Sequence, residues 1–101
     1  MKPSYDDIFS RFEIFAKKVL TGADKSSFLN KLNEEIEELN EDPCMEELAD
    51  CVLVCIGLAE HLDGNLKTAL LAKIEKNEKR TWERLPNGTY HHVPKNSPQK
   101  D

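Results

Sequence analysis

Nine carboxylates crowd the stretch from Lys31 to Val52, KLNEEIEELNEDPCMEELADCV. Two pairs within it have helical spacing. Glu35 and Glu38 are three residues apart, as are Glu47 and Asp50. At about 100° per residue, each pair occupies adjacent turns of one helix face. The connection Asn-Glu-Asp-Pro (40–43) is short, so the two helices should be antiparallel neighbours with the pairs facing each other near the turn. Four carboxylates in one cleft repel unless protonated or metal-bound. Oxygen ligands with no His or Cys among them suit Mg²⁺ or Mn²⁺ better than Zn²⁺. The competing reading is a solvated acidic surface, the usual fate of charge runs. Asp50 weighs against it. Asp is a poor residue inside a helix, and this one precedes nine apolar residues, CVLVCIGLA (51–59). No Lys or Arg lies between Lys31 and Lys67 to neutralise it.

The elements that must position these groups are helical. Ile8, Phe12, Phe15 and Val19 mark a first helix from about Ser4 to Leu20, stopped by Thr21-Gly22. A second, capped by Ser26 or Ser27, carries the stripe Phe28, Leu32, Ile36, Leu39 to about Glu41. Asp42 as cap and Pro43 as first residue open a third helix that runs to about Leu62. It is apolar on nearly every side, which predicts the central and most buried helix. The fourth starts at the cap Asn65 and runs to about Arg84. Its face turns from Leu66, Ala69 and Leu70 to Lys73, Asn77 and Arg80, with Lys76 at the edge. After Pro86, an Asn-Gly turn and at most a short extended piece precede a polar, Pro-rich end. The expected fold class is all-α: a compact bundle of about four helices, oligomeric, with an irregular C-terminal tail. Residues 1–86 form the helical domain and 87–101 a turn and flexible tail.

The 101 residues allow one domain and one core. With 14 basic against 19 acidic residues the net charge is −5, which excludes a general binder of nucleic-acid polymers. Eight of the 14 basic residues follow position 66, so an acidic half faces a basic half, as a ligand carrying both metal and phosphate requires. The longest apolar run is too short for a membrane span, and the start MKPSYDDIF lacks the apolar core of a signal peptide. A soluble, cytoplasmic protein is expected. Cys44, Cys51 and Cys55 fit no common zinc spacing and read as reduced core thiols.

The pattern EExxE (Glu34, Glu35, Glu38) followed by ExxD (Glu47, Asp50) resembles the MazG-like all-α nucleoside triphosphate pyrophosphohydrolases. The stretches KLNEEIEEL, EELADCVLVCIGLA, LLAKIEKNEKRTW and PNGTYHHV extend the resemblance to the phage dATP/dGTP diphosphohydrolases, over roughly residues 28–93. It implies metal ligation by Glu35, Glu38, Glu47 and Asp50, with two or three Mg²⁺ (or Mn²⁺) per site. It implies hydrolysis of a deoxynucleoside triphosphate, dGTP or dATP, between the α and β phosphates, plausible in a phage-infected bacterium. It also selects Lys73, Asn77 and Arg80 as phosphate contacts. Lys31, one turn before the acidic motif, is a further phosphate candidate. Glu34 and Glu35 are the catalytic candidates: Glu35 as ligand first, Glu34 as the base that orients or deprotonates water. Phe12, Phe15 and Trp82 are candidates to stack on a base, Asn30 and Asn33 to bond its edge, and His91 and His92 to reach a neighbouring subunit's cleft. His61 is expected to be structural. The apolar third helix implies at least a homodimer, and the resemblance a homotetramer. The alternatives are a broad house-cleaning nucleotide pyrophosphatase and a noncatalytic helical interaction protein.

Overall fold

A computed structural model describes residues 2–94. Four helices and a hairpin follow one another: α1 (Tyr5–Val19), α2 (Lys25–Glu41), α3 (Met45–Ala59), α4 (Leu66–Glu78), β1 (Trp82–Arg84) and β2 (Tyr90–His92). Two compact units divide the chain, one ending at Gly64 and one beginning at Asn65.

In the first unit, α3 packs against both α1 and α2. Ser4 caps α1 by accepting the Asp7 N–H at 3.1 Å. Acidic Asp6 and Asp7 at its start and basic Lys17 and Lys18 at its end both complement the helix dipole. The cap of α2 is Asp24, ahead of the expected Ser26 or Ser27. Its carboxylate accepts the Ser27 N–H at 2.9 Å, while the Ser27 hydroxyl accepts the Asp24 N–H at 3.2 Å, a reciprocal capping box. The Ser27 backbone and side-chain hydrogen bonds hold the Asp24 carboxyl below its ordinary pKa.

The start of α3 differs from expectation. Asp42 terminates α2, its N–H bonding the Glu38 carbonyl. A residue before proline is driven out of the helical region, and Cys44 is still extended at φ −150°, ψ 167°. The third helix therefore begins at Met45, with Cys44 at the cap and no side-chain cap bond. The Cys44 thiol instead donates to Asp42 Oδ2 at 3.8 Å. The other end also comes earlier, at Ala59, with a tighter i→i+3 turn through Glu60, His61 and Leu62.

Phe12, Phe28, Cys51 and Ile56 form the buried core of this unit. The approach of α2 to α3 needs Gly57, since a Cβ there would collide with the Phe28 ring. The His61 ring stacks obliquely on Phe28 with centroids 5.3 Å apart, as a structural residue would. α3 buries Cys51, Ile56 and Gly57 but leaves Met45, Leu48, Val52 and Cys55 exposed. Among the described residues it is therefore not buried all round; α1 and α2 supply its main packing. Of the three cysteines, only Cys51 is a core thiol.

In the second unit, Asn65 caps α4 by accepting the Thr68 N–H at 3.0 Å. The helix ends at Glu78, not near Arg84. Trp82–Arg84 pairs antiparallel with Tyr90–His92, in the register Trp82↔His92, Glu83↔His91, Arg84↔Tyr90. Gly88 supplies the left-handed turn residue at φ 91°. Asn87 Oδ1 accepts both the N–H and hydroxyl of Thr89. A small two-stranded sheet thus stands where a helix end and an irregular tail were expected. Trp82 Nε1 donates to the Asn77 carbonyl at 3.0 Å and its ring meets His92 edge-on, tying the hairpin to α4. Residues 95–101 of the expected tail lie outside the described residues. No described helix is long and apolar enough to cross a membrane.

Candidate metal centre

The three-residue turn between α2 and α3 brings their carboxylates together. One oxygen each from Glu35, Glu47 and Asp50 lie within 4.8 Å of one another. Glu35 is only 5% exposed, and Glu47 and Asp50 are half-buried. Glu38 sits on the exposed side of α2 and does not join this trio. It is still close enough for its charge to act on Glu47. Lost hydration, then the charges of Glu38, Asp50 and Glu35, push the Glu47 carboxyl above its ordinary pKa.

Among the described residues, Lys31 reaches the cluster. Lys31 Nζ lies 3.3 Å from Glu35 Oε1 and 3.7 Å from Glu34 Oε1. The Glu35 hydrogen bond, then the charges of Glu35 and Glu34, raise the Lys31 pKa. Lys31, a phosphate candidate by sequence, is paired with Glu35. The Lys31–Glu35 spacing of i, i+4 on one helix was a signal for this pairing. Glu34 itself is exposed and paired with Lys31, one residue away from the trio.

The other Glu35 oxygen, Oε2, is buried with no hydrogen-bond partner. A buried carboxylate oxygen left unpaired is costly. No ion pair among the described residues reaches Glu47 or Asp50. Three hard oxygen donors, one of them orphaned, fit a divalent hard cation. No thiol belongs to this donor set among the described residues; burial, followed by the Glu35 charge, pushes the adjacent Cys51 thiol up.

The sequence-selected basic residues lie in the second unit. Arg80 Nη1 donates to Asn77 Oδ1 at 3.1 Å, so these two act together, with Lys73 one turn earlier on α4. The charge of Arg80, then burial and the charges of Lys73 and Lys76, lower the His92 pKa. No described ion pair neutralises Lys73, Lys76 or Arg80. Of the other sequence candidates, Asn30 and Asn33 are exposed on α2, and Trp82 is occupied in tying down the hairpin.

No family model matches the chain. It is 34% identical over 65 residues to a dATP/dGTP diphosphohydrolase of Salmonella phage PMBT28, covering 62% of this chain. It is 38% identical over 69 residues to a dATP/dGTP diphosphohydrolase of Cyanophage S-2L, covering 63% of this chain. The matches span 22% and 64% of those relatives' own lengths. In three dimensions it is similar to the Cyanophage S-2L MazG-like pyrophosphohydrolase, solved with dGDP and three catalytic Mn²⁺ ions per active site. That similarity has a TM-score of 0.78 at 26% identity, over 93% of this chain and 97% of that one. The carboxylate pairs on two antiparallel helices, the phage relatives and the shared fold agree: this chain is similar in sequence and in fold to the MazG-like pyrophosphohydrolases of phages.

Proposed function

We propose that this protein hydrolyses a purine deoxynucleoside triphosphate, dGTP or dATP, between the α and β phosphates. The products are the deoxynucleoside monophosphate and pyrophosphate. The observation that carries this reading is the Glu35–Glu47–Asp50 cluster with its orphaned Glu35 oxygen. The substrate is that of the phage relatives, and the solved neighbour holds a deoxyguanosine nucleotide with Mn²⁺.

Glu35, Glu47 and Asp50, with Glu38 from the outer side of α2, would hold two or three Mg²⁺ or Mn²⁺ ions. When bound, these ions polarise phosphate oxygens and lower the pKa of a coordinated water. Lys31 keeps Glu35 in place through its ion pair. Glu34, the exposed neighbour of the cluster, accepts the proton as the water oxygen bonds to the α phosphorus. The bond from that phosphorus to the bridging oxygen breaks, and pyrophosphate leaves with the electron pair. Lys73, Asn77 and Arg80 neutralise the departing charge, the main catalytic task in such transfers.

The working form is a homodimer or homotetramer in the cytoplasm of a phage-infected bacterium. Leu48, Val52 and Cys55 on α3, beside Leu29 and Ile36 on α2, support an oligomer, since all are exposed in one chain. Light scattering at micromolar concentration tests this, and a monomer would contradict it. The activity is tested by pyrophosphate release from each deoxynucleoside triphosphate with Mg²⁺. Absence of turnover with every nucleotide, together with no rise in Tm on adding Mn²⁺, would sink the reading.

A further inference from the structure

Among the described residues, the ammonium of Lys31 is paired with the carboxylate cluster, 3.3 Å from Glu35 Oε1 and 3.7 Å from Glu34 Oε1. The two partners of the closer pair differ in setting. The Glu35 side chain is buried, whereas that of Lys31 is 53% exposed. The buried anion needs countercharge, while the ammonium keeps much of its hydration and loses little by leaving. The pair also runs in the weaker i, i+4 sense, with Lys N-terminal to the acid. Glu35 Oε2 is buried and has no hydrogen-bond partner.

One ammonium is an incomplete answer to three converging carboxylates. A divalent cation on Glu35, Glu47 and Asp50 supplies the missing charge. It also sets two positive charges close to the ammonium, and their repulsion removes the reason for Lys31 to stay on Glu35. Lys31, Glu35 and Asp50 line one recess of about 430 Å³, so the ammonium has room to turn without leaving the cluster's surroundings. Its flexible four-carbon stem allows that swing with α2 fixed. A phosphate that arrives with the cations gives it a new anionic partner.

We propose that Lys31 is a resident counterion. It weakens divalent-cation binding to the metal-free protein, and it exchanges Glu35 for a phosphate oxygen when the nucleotide binds. Cations are then held poorly by the free protein and firmly once phosphate is present. The exchange rests on the nucleotide reading above; the effect on metal binding concerns cation and protein alone. One residue thereby serves both as the partner of Glu35 and as the phosphate contact that its place before the acidic motif suggests.

The test compares wild type with Lys31→Met, which removes the charge and keeps the length, and with Lys31→Arg, which keeps the charge. Calorimetric titration of the metal-free protein with MnCl₂, without nucleotide, reads the effect on metal. Lys31→Met should bind Mn²⁺ about tenfold more tightly than wild type, the scale of one repelling charge removed beside a dication. Lys31→Arg should stay near wild type. Steady-state hydrolysis of dGTP at saturating Mn²⁺ reads the exchange. There Lys31→Met should raise KM about tenfold, as for one lost charge-assisted phosphate contact. The two changes have opposite signs, which no simpler role of Lys31 produces. A lysine that only holds Glu35 in shape would weaken Mn²⁺ binding when removed, and that result overturns the proposal. Unchanged Mn²⁺ affinity in Lys31→Met also overturns it, and leaves the reaction standing where dGTP is still hydrolysed. Tighter Mn²⁺ binding with an unchanged KM overturns the exchange. Tighter Mn²⁺ binding in a protein that hydrolyses no nucleotide supports the counterion and overturns the reaction.

Discussion

The α2–α3 carboxylates and the basic stretch of the second unit are opposites in sign and alike in physics. In the first, lost hydration and then mutual repulsion raise the Glu47 pKa. In the second, Arg80, Lys73 and Lys76 lower that of His92. Each region holds like charges together with little internal relief, Lys31 being the exception. They differ in how firmly they are held. Glu35 is buried between packed helices, whereas α4 buries none of its residues and Arg80 is held by local hydrogen bonds. The proposed division of labour follows that difference: cations at the packed acidic cluster, and a highly charged anion at the exposed basic stretch.

The sharpest way to break that comparison is to remove one acidic partner. Asp50→Asn should cut turnover with Mg²⁺ by roughly a hundredfold or more, the scale of a lost transition-state electrostatic contact. It should also abolish the Mn²⁺-induced rise in Tm. Retained activity would show that the cations sit elsewhere. Removing the basic side should cost less. Arg80→Ala is expected to lower kcat/KM about ten- to a hundredfold, as for a charge-assisted phosphate contact, with the Mn²⁺ shift in Tm intact. Loss of both would mean that the two regions are not separable.

A smaller effect follows from Glu47 in metal-free protein. Its folded pKa is raised, so the folded state binds the proton more tightly than the unfolded state. Its ionisation therefore destabilises the fold above the raised pKa, and that loss is relieved as pH falls through it toward the ordinary carboxylate range. In EDTA, Tm should rise over that window relative to Glu47→Gln, which lacks the titration. A difference of the opposite sign would mean that neither lost hydration nor repulsion raises the Glu47 pKa in the folded state. The smallest change is local: in Arg80→Ala the His92 pKa, followed by NMR, should move back up toward the ordinary histidine value.

How far these features were legible in the sequence depends on which forces set them. The i, i+3 carboxylate pairs follow from helix geometry alone, and three of the four named residues converge as expected. Glu38 stands apart on the exposed side of α2, about 60° round the helix from buried Glu35. The start of α3 was misplaced because two helices compete for Asp42. Its use as the end of α2, reinforced by the proline that follows, excludes it as the cap of the next. The hairpin was missed because strands of three residues are too short to show alternation, and the basic helical pattern runs on through Arg80. The exposed face of α3 illustrates the limit of one chain: a helix apolar all round predicts burial, and in the oligomer proposed above another copy would complete it.

The central claim is that the carboxylate cluster directs cleavage to the α–β bond. The most direct measurement is ³¹P NMR of dGTP incubated with the protein and Mg²⁺, with an EDTA control and the Asp50→Asn variant alongside. The account predicts equal amounts of dGMP and pyrophosphate from the wild type, and unchanged dGTP in both controls. Release of orthophosphate with dGDP, or equal turnover by Asp50→Asn, would contradict it.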